Sequence, residues 1–92
     1  MFQTVVYKKA PFVPIPKEIL QNIVNALALR PDDMFYDLGC GDGRVLDAAL
    51  AAQPKIHCFG VEYDPWPAFL ARWRLRKHIK NNLARIIRGD MF

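Results

Sequence analysis

Three carboxylates stand at matching places in this sequence. Asp37 precedes a glycine loop by two residues, Glu62 closes an apolar run, and Asp90 follows a second such run and a glycine. The loop is Gly39-Cys40-Gly41-Asp42-Gly43. Gly39 permits a tight turn straight out of a strand. Gly41 lets the backbone approach a ligand with no side chain in the way, and Gly43 opens a helix whose leading N–H groups can meet a polar ligand. Dinucleotide sites use G-x-G-x-x-G, whereas the pattern here is G-x-G-x-G. Asp37 suits a ligand with positive charge, such as a sulfonium amino acid, and would repel a pyrophosphate; Asp42 adds to that repulsion. Glu62 can accept hydrogen bonds from two ribose hydroxyls. Asp90 can accept from an exocyclic adenine amino group, with Met91 offering backbone and apolar contact. The plainer alternatives are a solvated strand end for Glu62 and a turn residue for Asp90.

Other candidates carry less chemistry. His57 and His78 are isolated and lack metal-ligand spacing. Cys40 and Cys58 form no CxxC pair and read as reduced thiols of a cytosolic protein, Cys40 offering its backbone N–H to a ligand. Tyr63 or Trp66 can pack beside an adenine or ribose; Trp66 and Trp73 equally fit the core of a helix. No base lies near enough in sequence to activate a nucleophile, so no residue is assigned a catalytic role.

These groups need a scaffold that brings them together. Residues 1–15 form a leader whose Pro11 and Pro14, with Pro16 after them, disfavour helix and suggest extended chain. Ile19, Leu20, Ile23, Val24 and Leu27 predict an amphipathic helix over 17–29. Met34 to Leu38 reads as a buried strand, and Val45, Leu46, Ala49 and Leu50 mark a helix ending near Pro54. Ile56 to Val61 is the next strand. A helix from about Pro65 to about Lys80 has Trp66, Phe69, Leu70 and Trp73 as its apolar stripe, and Ala84 to Arg88 is the third strand. The alternation predicts an α/β, Rossmann-like three-layer sandwich with a parallel sheet, truncated after the third strand, over residues 16–92. The acids then fall on one rim, at the carboxyl ends of successive strands, where such sheets bind ligands.

With 92 residues the chain is one small domain at most, and its 52% hydrophobic and 24% charged content argues against disorder. The net charge is +4, and seven of thirteen basic residues lie between Arg72 and Arg88 with no acid between Pro65 and Gly89. That stretch reads as a solvated helix face or as an attraction for nucleic acid, acidic lipid or an acidic partner. No apolar run reaches the roughly 18 residues of a membrane span, and residues 1–10 lack a signal-peptide core.

The segment Tyr36-Asp37-Leu38-Gly39-Cys40-Gly41-Asp42-Gly43-Arg44 resembles motif I of class I S-adenosylmethionine-dependent methyltransferases. In that resemblance Glu62 matches the ribose-binding acid and Asp90-Met91 the adenine-binding position. More narrowly, Pro11-Phe12-Val13-Pro14, the loop, and Gly60-Val61-Glu62-Tyr63-Asp64-Pro65-Trp66 resemble a family of lysine methyltransferases. Its mitochondrial members modify the c subunit of ATP synthase and the adenine nucleotide translocator. The resemblance implies S-adenosylmethionine as cofactor, a protein lysine as acceptor, and Asp37, Gly39, Cys40, Gly41, Gly43, Glu62, Tyr63, Asp90 and Met91 at the cofactor. A cytoplasmic location follows from the reduced thiols, and a position peripheral to a membrane is implied by the resemblance only, since many relatives carry a membrane-anchoring apolar segment just before the Pro11-Phe12-Val13-Pro14 leader. Three departures stand out. Ten residues precede Pro11 here, where such relatives carry that anchor, which weighs against membrane attachment. Ile15 occupies a place where a small hydroxyl residue is usual, and relatives continue through a fourth strand that shapes the acceptor pocket.

The sequence is therefore read as the cofactor-binding half of a methyltransferase domain. Three rival readings stay open: a non-catalytic half-domain that assembles with another chain or with itself through an exposed sheet edge, a nucleic-acid methyltransferase drawn by the basic stretch, and a nicotinamide-binding module.

Overall fold

The computed structural model describes residues 4–8 and 16–89. Its elements are β1 (Thr4–Lys8), α1 (Lys17–Leu27), β2 (Met34–Leu38), α2 (Arg44–Ala52), β3 (His57–Glu62), α3 (Pro65–Arg74), α4 (Arg76–Lys80) and β4 (Ala84–Arg88). The strands form one parallel sheet in the order β1-β2-β3-β4. The α/β, Rossmann-like pattern is present, but with four strands where the sequence predicts three.

The extra strand comes from the leader. Thr4, Val5 and Val6 are β-branched, a composition that fits a pleated, half-buried surface, and they pair in register with Met34, Phe35 and Tyr36. In the doubly wound order 3-2-1-4-5 the seat on this side of the glycine-loop strand belongs to the strand that opens the second half of the sheet. Thr4–Lys8 holds that seat here. Pro11 to Ile15 lie outside the described residues, as do Asp90 and Met91.

Register explains the core. Phe35, Cys58 and Ala84 form one row across β2, β3 and β4, and Asp37, Gly60 and Ile86 form the next row on the same face. All six are buried, covered by α2, α3 and the inward side of α1. The alternate rows (Tyr36, Phe59 and Arg85; Leu38, Val61 and Ile87) are half-buried or exposed, with Tyr36 and Phe59 stacked at 4.9 Å between ring centroids. Two layers of the sandwich are thus formed by the described residues, and the second face of the sheet carries mostly apolar side chains.

The segment after β3 departs from the predicted single helix over 65–80. It breaks at Leu75, whose φ of −98° and ψ of 12° separate α3 from α4. Of the expected stripe, Trp66, Phe69 and Trp73 are exposed and Leu70 is half-buried, while Ala68, Ala71 and Leu75 are buried. The reason is proximity. A Cβ on Gly43 would lie 3.2 Å from Ala71 Cβ and 3.3 Å from Leu75 Cδ1, so this face of α3 has room for alanine and none for an indole.

Cys58 belongs to β3 and lies in the core on the helix-covered face of the sheet. Burial pushes its thiol from 9.0 up to about 12, and the charge of Asp37 adds to the shift. The thiol is therefore neutral at physiological pH and no nucleophile. Because the folded value lies above the unfolded one, the stabilisation is complete below about pH 9 and is lost as pH rises toward 12. A Cys58→Ala variant should show a shallower fall in melting temperature across that window than the parent chain. Equal slopes in thermal melts followed by circular dichroism would contradict the assignment.

Candidate functional site

The carboxyl ends of β2 and β3 are bound into one rim by the glycine loop. As the chain leaves Leu38, the N–H groups of Gly39 and Cys40 both donate to Val61 O, at 2.8 and 3.0 Å. Gly43 N–H then donates to Cys40 O at 3.0 Å and closes the turn. Gly39, Gly41 and Gly43 have φ of 82°, 58° and 85°, the left-handed region that glycine enters without a Cβ clash. Backbone shape thus favours glycine at all three positions, the tight turn expected at Gly39 and, beyond the ligand access and helix opening read at Gly41 and Gly43, a left-handed conformation there too.

Glu62 fastens the loop. Its Oε1 accepts from Gly41 N–H at 2.7 Å, and its Oε2 accepts from Asp64 N–H at 3.0 Å. The carboxylate is half-buried at the rim. Beside it, Gly89 N–H donates to Glu62 O at 3.1 Å, which brings the end of β4 to the same edge, immediately before Asp90. Tyr63 is exposed, and its carbonyl accepts from Arg88 Nε at 3.4 Å. Asp37 is fully buried on the helix-covered face of the sheet, so it offers a field to the rim rather than an exposed carboxylate.

Two loop residues act differently from their sequence reading. Cys40 gives its N–H to Val61 and buries its thiol, so neither group is open to a ligand. Asp42 is buried with Oδ2 2.8 Å from Arg44 Nε and 3.6 Å from a terminal guanidinium nitrogen of Arg74. Arg74 Nε also donates to Asp42 O at 3.1 Å. Asp42 therefore ties α3 to the loop, and its charge is matched instead of repelling an anion. Arg74 lies 32 residues from Asp42, a partnership with no local signal in the sequence. The first turn of α2 has no side-chain cap, which leaves its leading N–H groups for solvent or ligand.

Residues 10–85 match the family model described as histone methylation protein DOT1. The chain belongs to this family. Among relatives of this DOT1-family chain, a protein-lysine N-methyltransferase of Saccharolobus islandicus is 30% identical over 82 residues, covering 89% of this chain and 51% of that protein. The human lysine N-methyltransferase of the c subunit of ATP synthase is 30% identical over 82 residues, 89% of this chain and 34% of that protein. A solved RNA methyltransferase of Salinibacter ruber, in complex with S-adenosyl-L-homocysteine, superposes with a TM-score of 0.75 at 29% identity. That match covers 85% of this chain and 50% of the solved one. The DOT1-family chain thus spans about half or less of the length of these proteins.

Proposed function

We propose that this chain carries the S-adenosylmethionine-binding part of a protein-lysine N-methyltransferase. The observation that carries the reading is the clamp of Glu62 on Gly41 N–H, which holds three left-handed glycines at the carboxyl rim. A carboxylate has about four lone-pair sites, and the two backbone N–H groups leave Glu62 capacity for ribose hydroxyls. The uncapped first turn of α2 and the exposed Tyr63 ring border the same rim. Asp90 and Met91, which the resemblance assigns to the adenine, lie outside the described residues and follow in sequence Gly89, whose N–H is held to Glu62. When bound, the cofactor supplies an electrophilic methyl group on a positively charged sulfur. The negative charges of Asp37 and Glu62 favour such a ligand over a pyrophosphate, Asp42 being matched by Arg44 and Arg74. A lysine acceptor is supported by the names and identity of the curated relatives.

Isothermal titration tests the cofactor. Saturable binding of S-adenosylmethionine and S-adenosylhomocysteine with no heat from NAD is expected. Binding of NAD in their place would return the chain to the nicotinamide reading.

A further inference from the structure

Arg74 ties α3 to Asp42 of the glycine loop, and the rest of the outer surface of α3 and α4 faces solvent beside β4. α3 turns Ala68 and Ala71 inward and leaves Trp66, Phe69 and Trp73 at 66, 56 and 62% exposure. Steps of three and four residues align these rings in one stripe along the helix. Trp66 and Phe69 stack at 5.7 Å, and the Arg76 guanidinium lies 4.2 Å over the Trp73 ring. Beside the stripe, Arg72, Arg76 and Arg85 border a cavity of about 330 Å³ that Ile79 and Ile86 also line. None of these arginines forms an ion pair among the described residues. Arg72 and Arg76 donate instead to the carbonyls of Ile86 and Trp73, at 3.4 and 2.8 Å.

We propose that this face docks the chain on an anionic lipid bilayer, with the aromatic stripe at the headgroup–acyl boundary and the arginines on lipid phosphates. The first argument is charge. From Pro65 to Gly89 there are basic residues and no acid, so the complement is a densely anionic surface. A lysine-bearing acceptor would be repelled here. The second is shape. The rings stand on the outer side of a helix, the arrangement of an interfacial amphipathic element that lies on a bilayer. No described helix is long and apolar enough to cross one. The third is the state of the ring faces. Single-stranded nucleic acid stacks bases on open aromatic faces within a groove. Here Trp66 and Phe69 each give one face to the other and Trp73 gives one face to Arg76, so part of the stacking surface is already taken. Because α3 starts at Pro65, just past Glu62, docking through it would hold the carboxyl rim near the bilayer.

Trp66 and Trp73 are the two tryptophans of the chain, so intrinsic fluorescence reads this face directly. The 92-residue chain would be titrated with vesicles of phosphatidylcholine alone, with phosphatidylcholine–phosphatidylglycerol vesicles, and with a single-stranded oligoribonucleotide. A blue shift with quenching by brominated lipid, only on the anionic vesicles and reversed by salt, is expected. Phe69→Ser/Trp73→Ser and Arg72→Gln/Arg76→Gln change exposed side chains, and circular dichroism would verify their fold. Each pair should lower co-sedimentation with anionic vesicles roughly tenfold or more. No shift with any vesicle, or vesicle binding that both double variants retain, overturns the proposal. A response to the oligoribonucleotide with none to vesicles overturns it in favour of nucleic acid.

Discussion

Replacing Glu62 by alanine is expected to lower affinity for S-adenosylmethionine by roughly 30- to 100-fold while the chain stays folded. The carboxylate does two things at once. It accepts from Gly41 N–H at 2.7 Å and so fixes the middle of the loop, and it turns its remaining lone pairs to the rim. A hydrogen bond to a charged group contributes about 1.5–3 kcal/mol, and losing the loop anchor together with one ligand contact reaches that range in binding. Glu62→Gln keeps one carbonyl oxygen and should fall between the parent and the alanine variant. Isothermal titration gives the affinities, and thermal melts separate binding from folding. An alanine variant that binds as tightly as the parent would remove the clamp from the proposed function and return Glu62 to a solvated strand end.

How far this site is legible in the sequence follows from the range of the forces that build it. The loop glycines can be read because backbone shape is local: a positive φ at Gly39, Gly41 and Gly43 excludes most side chains wherever the rest of the chain lies. Met34–Leu38 can be read because a strand buried on one face and half-covered on the other takes a mostly apolar run, and Ala84–Arg88 because buried Ala84 and Ile86 alternate with exposed Arg85 and Ile87. The link from Asp42 to Arg74 cannot, because it joins the loop to a helix that only the fold brings near. The role of Asp42 is therefore inverted, from repelling a ligand to securing α3.

The third helix shows a second kind of limit. Trp66, Phe69 and Trp73 recur at helical spacing, and so do Ala68, Ala71 and Leu75. Periodicity alone identifies two candidate faces, and ranking them by hydrophobic size selects the aromatic one. The close approach of Gly43 reverses the ranking, since only a small-residue face can sit against it. Large rings displaced to solvent in this way make an exposed patch that a monomeric fold does not need, which is why that surface points to a partner. The strand Thr4–Lys8 escapes a local reading for a related reason. Its β-branched residues fit a strand, but its pairing with Met34–Leu38 reaches across the proline-containing leader and all of α1.

The largest stability effect is expected at Gly60. A Cβ there would stand 2.8 Å from Cys40 Sγ, 2.8 Å from Leu46 Cδ1 and 2.9 Å from Ile86 Cδ1, closer than real contacts allow. All three neighbours are buried, so none can swing into solvent. Overpacking of this kind costs about 1–3 kcal/mol. In a domain of this size each kcal/mol moves the midpoint by about 4–8 °C, so Gly60→Ala should melt roughly 4–24 °C below the parent. Gly89→Ala is the control, since a Cβ there meets nothing within 4 Å, and its change should stay within about 0.5 kcal/mol. Leu46→Ala opens space beside Gly60, so the double variant should lose less than the sum of the two single losses. Strict additivity in thermal melts would mean that the strands separate to admit the methyl group instead of pressing on Leu46. The loop should register the same push, because Cys40 stands over Gly60 and Glu62 follows it by two residues. A methyl group under the loop therefore weakens cofactor binding even in the fraction that remains folded.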